Sequence, residues 1–222
     1  TLRNNDLISL LNQAEAQVDV EIATLNNLRS NTQQDLQSSY IDVLNTVDDA
    51  FAKSEDAIRS KTAGTFTGSK YTYYYVTFDV CDSIKESGAE DLRLTAELEL
   101  DEWNKKLNLL KINDPAREQL DIALLDAKTY LSTVRDTVNA INAMLSTKCT
   151  TENSSLDTAR VNMATAQTNV AAVIDNVNDL IQTIALNKIS TNDVDAQEAK
   201  VRAAQASADN YRAQLEKTII RS

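Results

Sequence analysis

An all-α fold, an elongated antiparallel bundle of about five long helices with coiled-coil-like heptad packing, is what this sequence predicts, on three observations. Turn-formers are scarce: the 222 residues include 3 Gly and 1 Pro, whereas a β-sandwich or barrel needs a turn every ~8–12 residues. Apolar residues recur at steps of three and four through most of the chain, the spacing of one helix face. The polar connections between these runs are short, which forces successive helices to run antiparallel. Residues 1–222 are accordingly read as a single helical-bundle domain, with helices over roughly 4–60, 70–111 (with a break near 88), 115–148, 155–187 and 192–220.

The first helix rests on Leu7, Leu11, Ala14, Val18, Ile22 and Leu25, and then on Leu36, Val43, Val47, Ala50 and Ile58. Between the two runs, residues 29–35 (RSNTQQD) carry no apolar side chain but also no Gly or Pro, so the helix is read as continuous. Residues 61–70 (KTAGTFTGSK) are a real break, with two glycines and four hydroxyl residues.

The stretch that follows, YTYYYVTFDVC over 71–81, holds four of the seven tyrosines. As a strand it would need a partner, and no other segment reads as β. As a helix it places Tyr71, Tyr74, Phe78, Cys81 and Ile84 on one face, capped by Ser69. The helical reading predicts Tyr74 and Phe78 in the core, Cys81 turned inward, and Tyr73 and Tyr75 toward solvent as candidate partner contacts. Leu92, Ala96, Leu100, Trp103, Leu107 and Leu110 continue the helix after Gly88.

Asp114 as N-cap and Pro115 at the first helical position start the next element. Its seam is Leu120, Leu124, Ala127, Leu131, Val134, Val138, Ile141 and Leu145, a heptad pattern that makes a helix about 50 Å long over 115–148. Leu156, Ala159, Met163, Ala166, Val170, Val173, Val177, Leu180 and Ile184 repeat it. Val194, Gln197, Val201, Ala204, Ala208, Tyr211, Leu215 and Ile219 form a third, leakier seam. Many of these positions are Ala or Val, which lets helices approach closely.

Function is read mainly by elimination. The chain contains no histidine, which removes Ser-His-Asp and Cys-His catalysis and His-based zinc sites. Three glycines make no phosphate-binding loop. The carboxylate runs ELELDE (97–102) and DVDAQE (193–198) read as solvated helix faces. Asp193 and Asp195 have calcium-like spacing without the glycine and distal glutamate of an EF-hand. The reading is therefore a non-enzyme with no catalytic residue, no metal and no cofactor. The net charge of −11 disfavours nucleic acid, whose phosphates call for Lys and Arg. No apolar run reaches the ~20 residues of a membrane span.

Cys81 and Cys149 are an even pair and are expected to form a disulfide. Asn153-Ser154-Ser155 is a glycosylation sequon at Asn153. Both features point to a secreted or surface-exposed, acidic glycoprotein. The expected function is binding or sequestering a partner, foremost a protein. A carrier of lipid or another small apolar ligand, and a self-associating structural or coat protein, stay open as alternatives, as does a homodimer.

Overall fold

The computed structural model describes residues 2–146 and 154–219. In chain order these residues form α1 (Leu2–Glu55), a π-helical turn (Asp56–Ser60), β1 (Phe66–Ser69), β2 (Tyr73–Val76), α2 (Ser83–Ile112), α3 (Arg117–Leu145), α4 (Ser154–Ile189) and α5 (Thr191–Ile219). The helical-bundle class is borne out. The contacts group the chain into two compact units: residues 39–182, and residues 1–38 together with 183–222.

In the unit of residues 39–182, the core is built by the expected seams. All eight α3 positions from Leu120 to Leu145 are buried, and so are Leu156, Ala159, Met163, Ala166, Val170, Val173 and Val177 on α4. Val43, Val47, Ala50 and Phe51 of α1 and Leu100, Trp103 and Leu107 of α2 are all buried in the same unit. Trp103 is the centre of an aromatic stack. Phe51 meets it edge-on with ring centroids 5.5 Å apart, and Tyr130 of α3 stacks on it at 5.3 Å. Such pairs add to what burial alone contributes.

In the other unit, α1 lies along α5. Glu15 pairs with Arg212 at 2.8 Å, Glu21 accepts from the Gln197 amide at 2.6 Å, and Arg29 pairs with Glu198. Glu15, early in α1, meets Arg212, and Arg29, further along it, meets Glu198, so these helices are antiparallel. Leu25, Ile184, Val201 and Ala208 are buried there, while Val194, Ala204, Tyr211 and Leu215 are half-buried, as the leaky seam implies. The polar stretch 29–35 stays helical because Thr32 occupies the inward position between Leu25 and Leu36 and is buried.

Several expectations are corrected. Residues 71–80 are not a helix: β2 pairs antiparallel with β1, in the register Phe66 with Val76, Thr67 with Tyr75, Gly68 with Tyr74 and Ser69 with Tyr73. The partner that such a strand needs is the glycine-containing segment immediately before it. Helix α2 accordingly begins at Ser83, where the Asp82 carboxylate accepts from the Lys85 backbone N–H at 3.1 Å, and it passes through Gly88 unbroken. Tyr74 and Phe78 are half-buried, not core, and Cys81 is exposed, not turned inward. Helix α3 begins at Arg117 with Ala116 as its N-cap, not at Asp114 and Pro115.

Candidate functional site

The hairpin is held in place by its sequence in two ways. Gly68 has φ +103°, and a Cβ there would sit 2.0 Å from the Tyr73 carbonyl oxygen, so no other residue fits. Tyr73 itself has φ +76°, a rare conformation for a bulky side chain. Between the strands, Thr72 closes the turn: its N–H donates to the Ser69 carbonyl at 3.0 Å, and its hydroxyl accepts from the Ser69 N–H at 3.1 Å.

Strand alternation sorts the tyrosines. Tyr74 and Val76 point to the protein and are half-buried, whereas Tyr73 and Tyr75 face solvent. The expected exposure of Tyr73 and Tyr75 is thus found, but for a period-two reason and not a helical one. Tyr71, at the turn, is 86% exposed, Tyr75 55% and Tyr73 42%. The rings of Tyr73 and Tyr75 lie 6.2 Å apart at a tilt of 44°. Three neighbouring aromatic side chains therefore reach solvent from one short hairpin.

Helix α2 supplies the docking face. Tyr74 lies against the Arg93 guanidinium, 4.3 Å from ring centroid to Cζ, a cation–π contact. The Val76 N–H donates to Glu90 at 3.0 Å. Tyr73 donates its phenolic O–H to Asp91, and this hydrogen bond raises the phenol's pKa above its ordinary value. Lys70 donates to Asp101; that bond raises the ammonium's pKa and lowers the carboxyl's.

Beneath the hairpin lies a buried ionic cluster that the sequence reading missed. Arg93 and Glu97 are both buried and pair at 2.7 Å. Arg59, from the π-helical turn, donates to the other Glu97 oxygen at 2.8 Å and to Asp101 at 2.7 Å. Arg93 also donates to the Thr62 hydroxyl at 3.0 Å. Burial alone would push the Glu97 carboxyl up; hydrogen bonds and charge from Arg93, then Arg59, outweigh it and hold the pKa below the usual value. The run at 97–102 is therefore not wholly a solvated face. The signal for this was the Arg93–Glu97 spacing of four, on the flank of the Ala96–Leu100–Trp103 stripe.

Among the described residues, no group of three or more acidic or cysteine side chains is placed to hold a metal ion. Asp193 and Asp195 are exposed on α5. No described helix is long and apolar enough to cross a membrane. No cysteine among the described residues is free. Cys149 and Asn153 lie outside the described residues. A shallow groove between α3 and α4, about 600 Å³, is lined by Leu125, Leu131, Arg135, Ile174 and Val177.

No family model matches the chain, and no curated protein matches it. One solved structure that does match is a computationally designed three helix bundle, with a TM-score of 0.27 and 13% identity over 98% of this chain and 89% of that one.

Proposed function

We propose that the protein is a non-enzymatic binding protein of the extracellular space or cell surface, and that the tyrosine hairpin is its contact with a protein partner. The observation that carries this reading is the exposed aromatic row Tyr71, Tyr73 and Tyr75 on a hairpin fixed to α2 by Glu90, Asp91, Arg93 and Asp101. Tyrosine is enriched at protein interfaces because it offers a large amphipathic ring at low entropic cost. A hairpin held from beneath presents those rings already ordered, which lowers the cost of binding. Single exposed apolar residues are ordinary on a protein surface; three aromatic rings grouped on one turn are not.

The extracellular assignment rests on Cys81 with Cys149 and on the sequon at Asn153. We propose that the two cysteines bond to one another, tying the start of α2 to the segment after α3. Non-reducing peptide mapping checks this: a linked Cys81–Cys149 peptide pair is expected, and two free thiols defeat it. The lipid-carrier alternative would draw on the α3–α4 groove, but Lys128, Ser132, Arg135 and Asn178 also line that groove.

The binding reading is tested by immobilising the protein beside a Tyr71→Ala/Tyr73→Ala/Tyr75→Ala variant and exposing both to the same extracellular fluids. A protein retained by the parent, lost by the variant and rebound after purification supports the reading. Equal retention by both sinks it.

A further inference from the structure

We infer that the protein partner of the tyrosine hairpin presents a basic segment, and that a Lys or Arg side chain of that segment seats against the rings of Tyr73 and Tyr75; this rests on the hairpin being the contact and names the chemistry of what it contacts. Two other tyrosines of the hairpin already hold cations of this chain. The Arg93 guanidinium lies 4.3 Å from the ring centroid of Tyr74, and the Lys70 ammonium lies 5.4 Å from that of Tyr71. Tyr73 and Tyr75 face solvent, with centroids 6.2 Å apart at a tilt of 44°. Among the described residues, no Lys or Arg lies over either of these two rings. An aromatic ring is negative on its face and attracts an ammonium or guanidinium placed there. Two such rings stand side by side here with no cation of their own.

The charge beside the rings has the sign that a cation needs. Between Tyr71 and Asp91 the chain carries Asp79, Asp82, Glu86, Glu90 and Asp91 against one cation, Lys85. Lys85 lies 3.4 Å from Asp82, and Lys70 is bound to Asp101. Glu90 and Asp91 reach the strand that carries the rings: Glu90 accepts the Val76 N–H, and Asp91 accepts the Tyr73 O–H. The hydrogen bond to Asp91 raises the pKa of the Tyr73 phenol, and the charges of Asp91 and Glu90 raise it further. A negative potential at the hydroxyl has that effect. The same potential favours a positive group brought up beside it.

Other partner chemistries fit less well. An acidic surface would be repelled by the same carboxylates, which is how charge excludes wrong partners. A wholly apolar surface would take water from Glu90 and Asp91 and return no hydrogen bond or counter-charge. A Lys or Arg side chain satisfies rings and carboxylates together, laying its stem and charge on the tyrosines with its N–H groups toward the acids.

The test uses the full chain and a fluorescent octapeptide of alternating Arg and Ser, followed by anisotropy. A second peptide has citrulline for Arg, the same shape without the charge. The Arg peptide should bind and weaken as sodium chloride is added, and the citrulline peptide should bind far less. Tyr75→Leu keeps an apolar side chain on the strand but removes one ring, and should weaken the Arg peptide roughly three- to tenfold; amide protection over residues 66–76 checks that its hairpin is intact. Asp193→Asn/Asp195→Asn removes two exposed carboxylates of α5, in the other unit, and should bind as the parent does. Equal binding of the two peptides overturns the inference. So does a Tyr75→Leu variant with an intact hairpin that binds the Arg peptide like the parent, or a loss with Asp193→Asn/Asp195→Asn as large as with Tyr75→Leu, since either assigns binding to the general acidity of the chain. If the Arg peptide fails while a protein is still captured through the tyrosines, the cationic assignment falls and the binding reading stands; if capture is also independent of the tyrosines, both fall.

Discussion

Glu97→Ala should be among the most destabilising single substitutions in the unit of residues 39–182. Glu97 lies between two guanidinium groups, at 2.7 Å from Arg93 and 2.8 Å from Arg59. Removing it does not affect them equally. Arg59 retains Glu55 and Asp101 and is partly exposed. The Arg93 side chain is only 6% exposed and would keep just the Thr62 hydroxyl and the face of Tyr74. Leaving a buried charge without its counter-ion costs about 3–5 kcal/mol. With a urea dependence of ~2–3 kcal/mol/M, the denaturation midpoint at neutral pH should fall by about 1 M or more. The acid limb supplies a second reading. The folded carboxyl titrates below its unfolded value of roughly 4.3, so its contribution is fully present above that value. It is lost as pH falls through the lower, folded pKa. Glu97→Gln should flatten that limb. A Glu97→Ala loss below about 1 kcal/mol, with the acid limb unchanged, would refute the reasoning and place the cluster in contact with water.

Gly68→Ala should abolish the hairpin while leaving the helices. Positive φ costs a residue with a Cβ about 1–2 kcal/mol, and the new atom would meet the Tyr73 carbonyl oxygen at 2.0 Å. The expected result is an unchanged helical circular dichroism signal with loss of amide protection over residues 66–76. Tyr73 should ionise above the ordinary phenol range because of its hydrogen bond to Asp91; ultraviolet pH titration of Asp91→Asn should show one tyrosine ionising at lower pH than in the parent. Trp103→Ala, which removes the centre of the Phe51–Trp103–Tyr130 stack, should cost about 3–5 kcal/mol in a denaturant melt followed by circular dichroism.

The helices were legible in the sequence because each buries one face, and a stripe such as Leu120 to Leu145 has no other use. The hairpin was not. Its strands are four residues each, too short to show a period. The five positions Tyr71, Tyr74, Phe78, Cys81 and Ile84 also fit steps of three and four, though Ile84 is 82% exposed and Cys81 is exposed as well. The usable signal was local. Gly68 lies between hydroxyl residues five positions before Tyr73, and such a glycine marks a tight approach of backbone. The tyrosine alternation then follows from the pleat. The ionic cluster was only half legible: the Arg93–Glu97 spacing of four points to that pair, but Arg59 reaches Glu97 only after the chain reverses.

Hydrogen exchange of the protein alone and with its captured partner tests the central claim most directly. If the tyrosine hairpin is the contact, added protection falls on residues 66–76 and on the α2 face around Asp91 that supports them. Protection confined to the helices away from the hairpin, with residues 66–76 exchanging as in the free protein, would contradict the account.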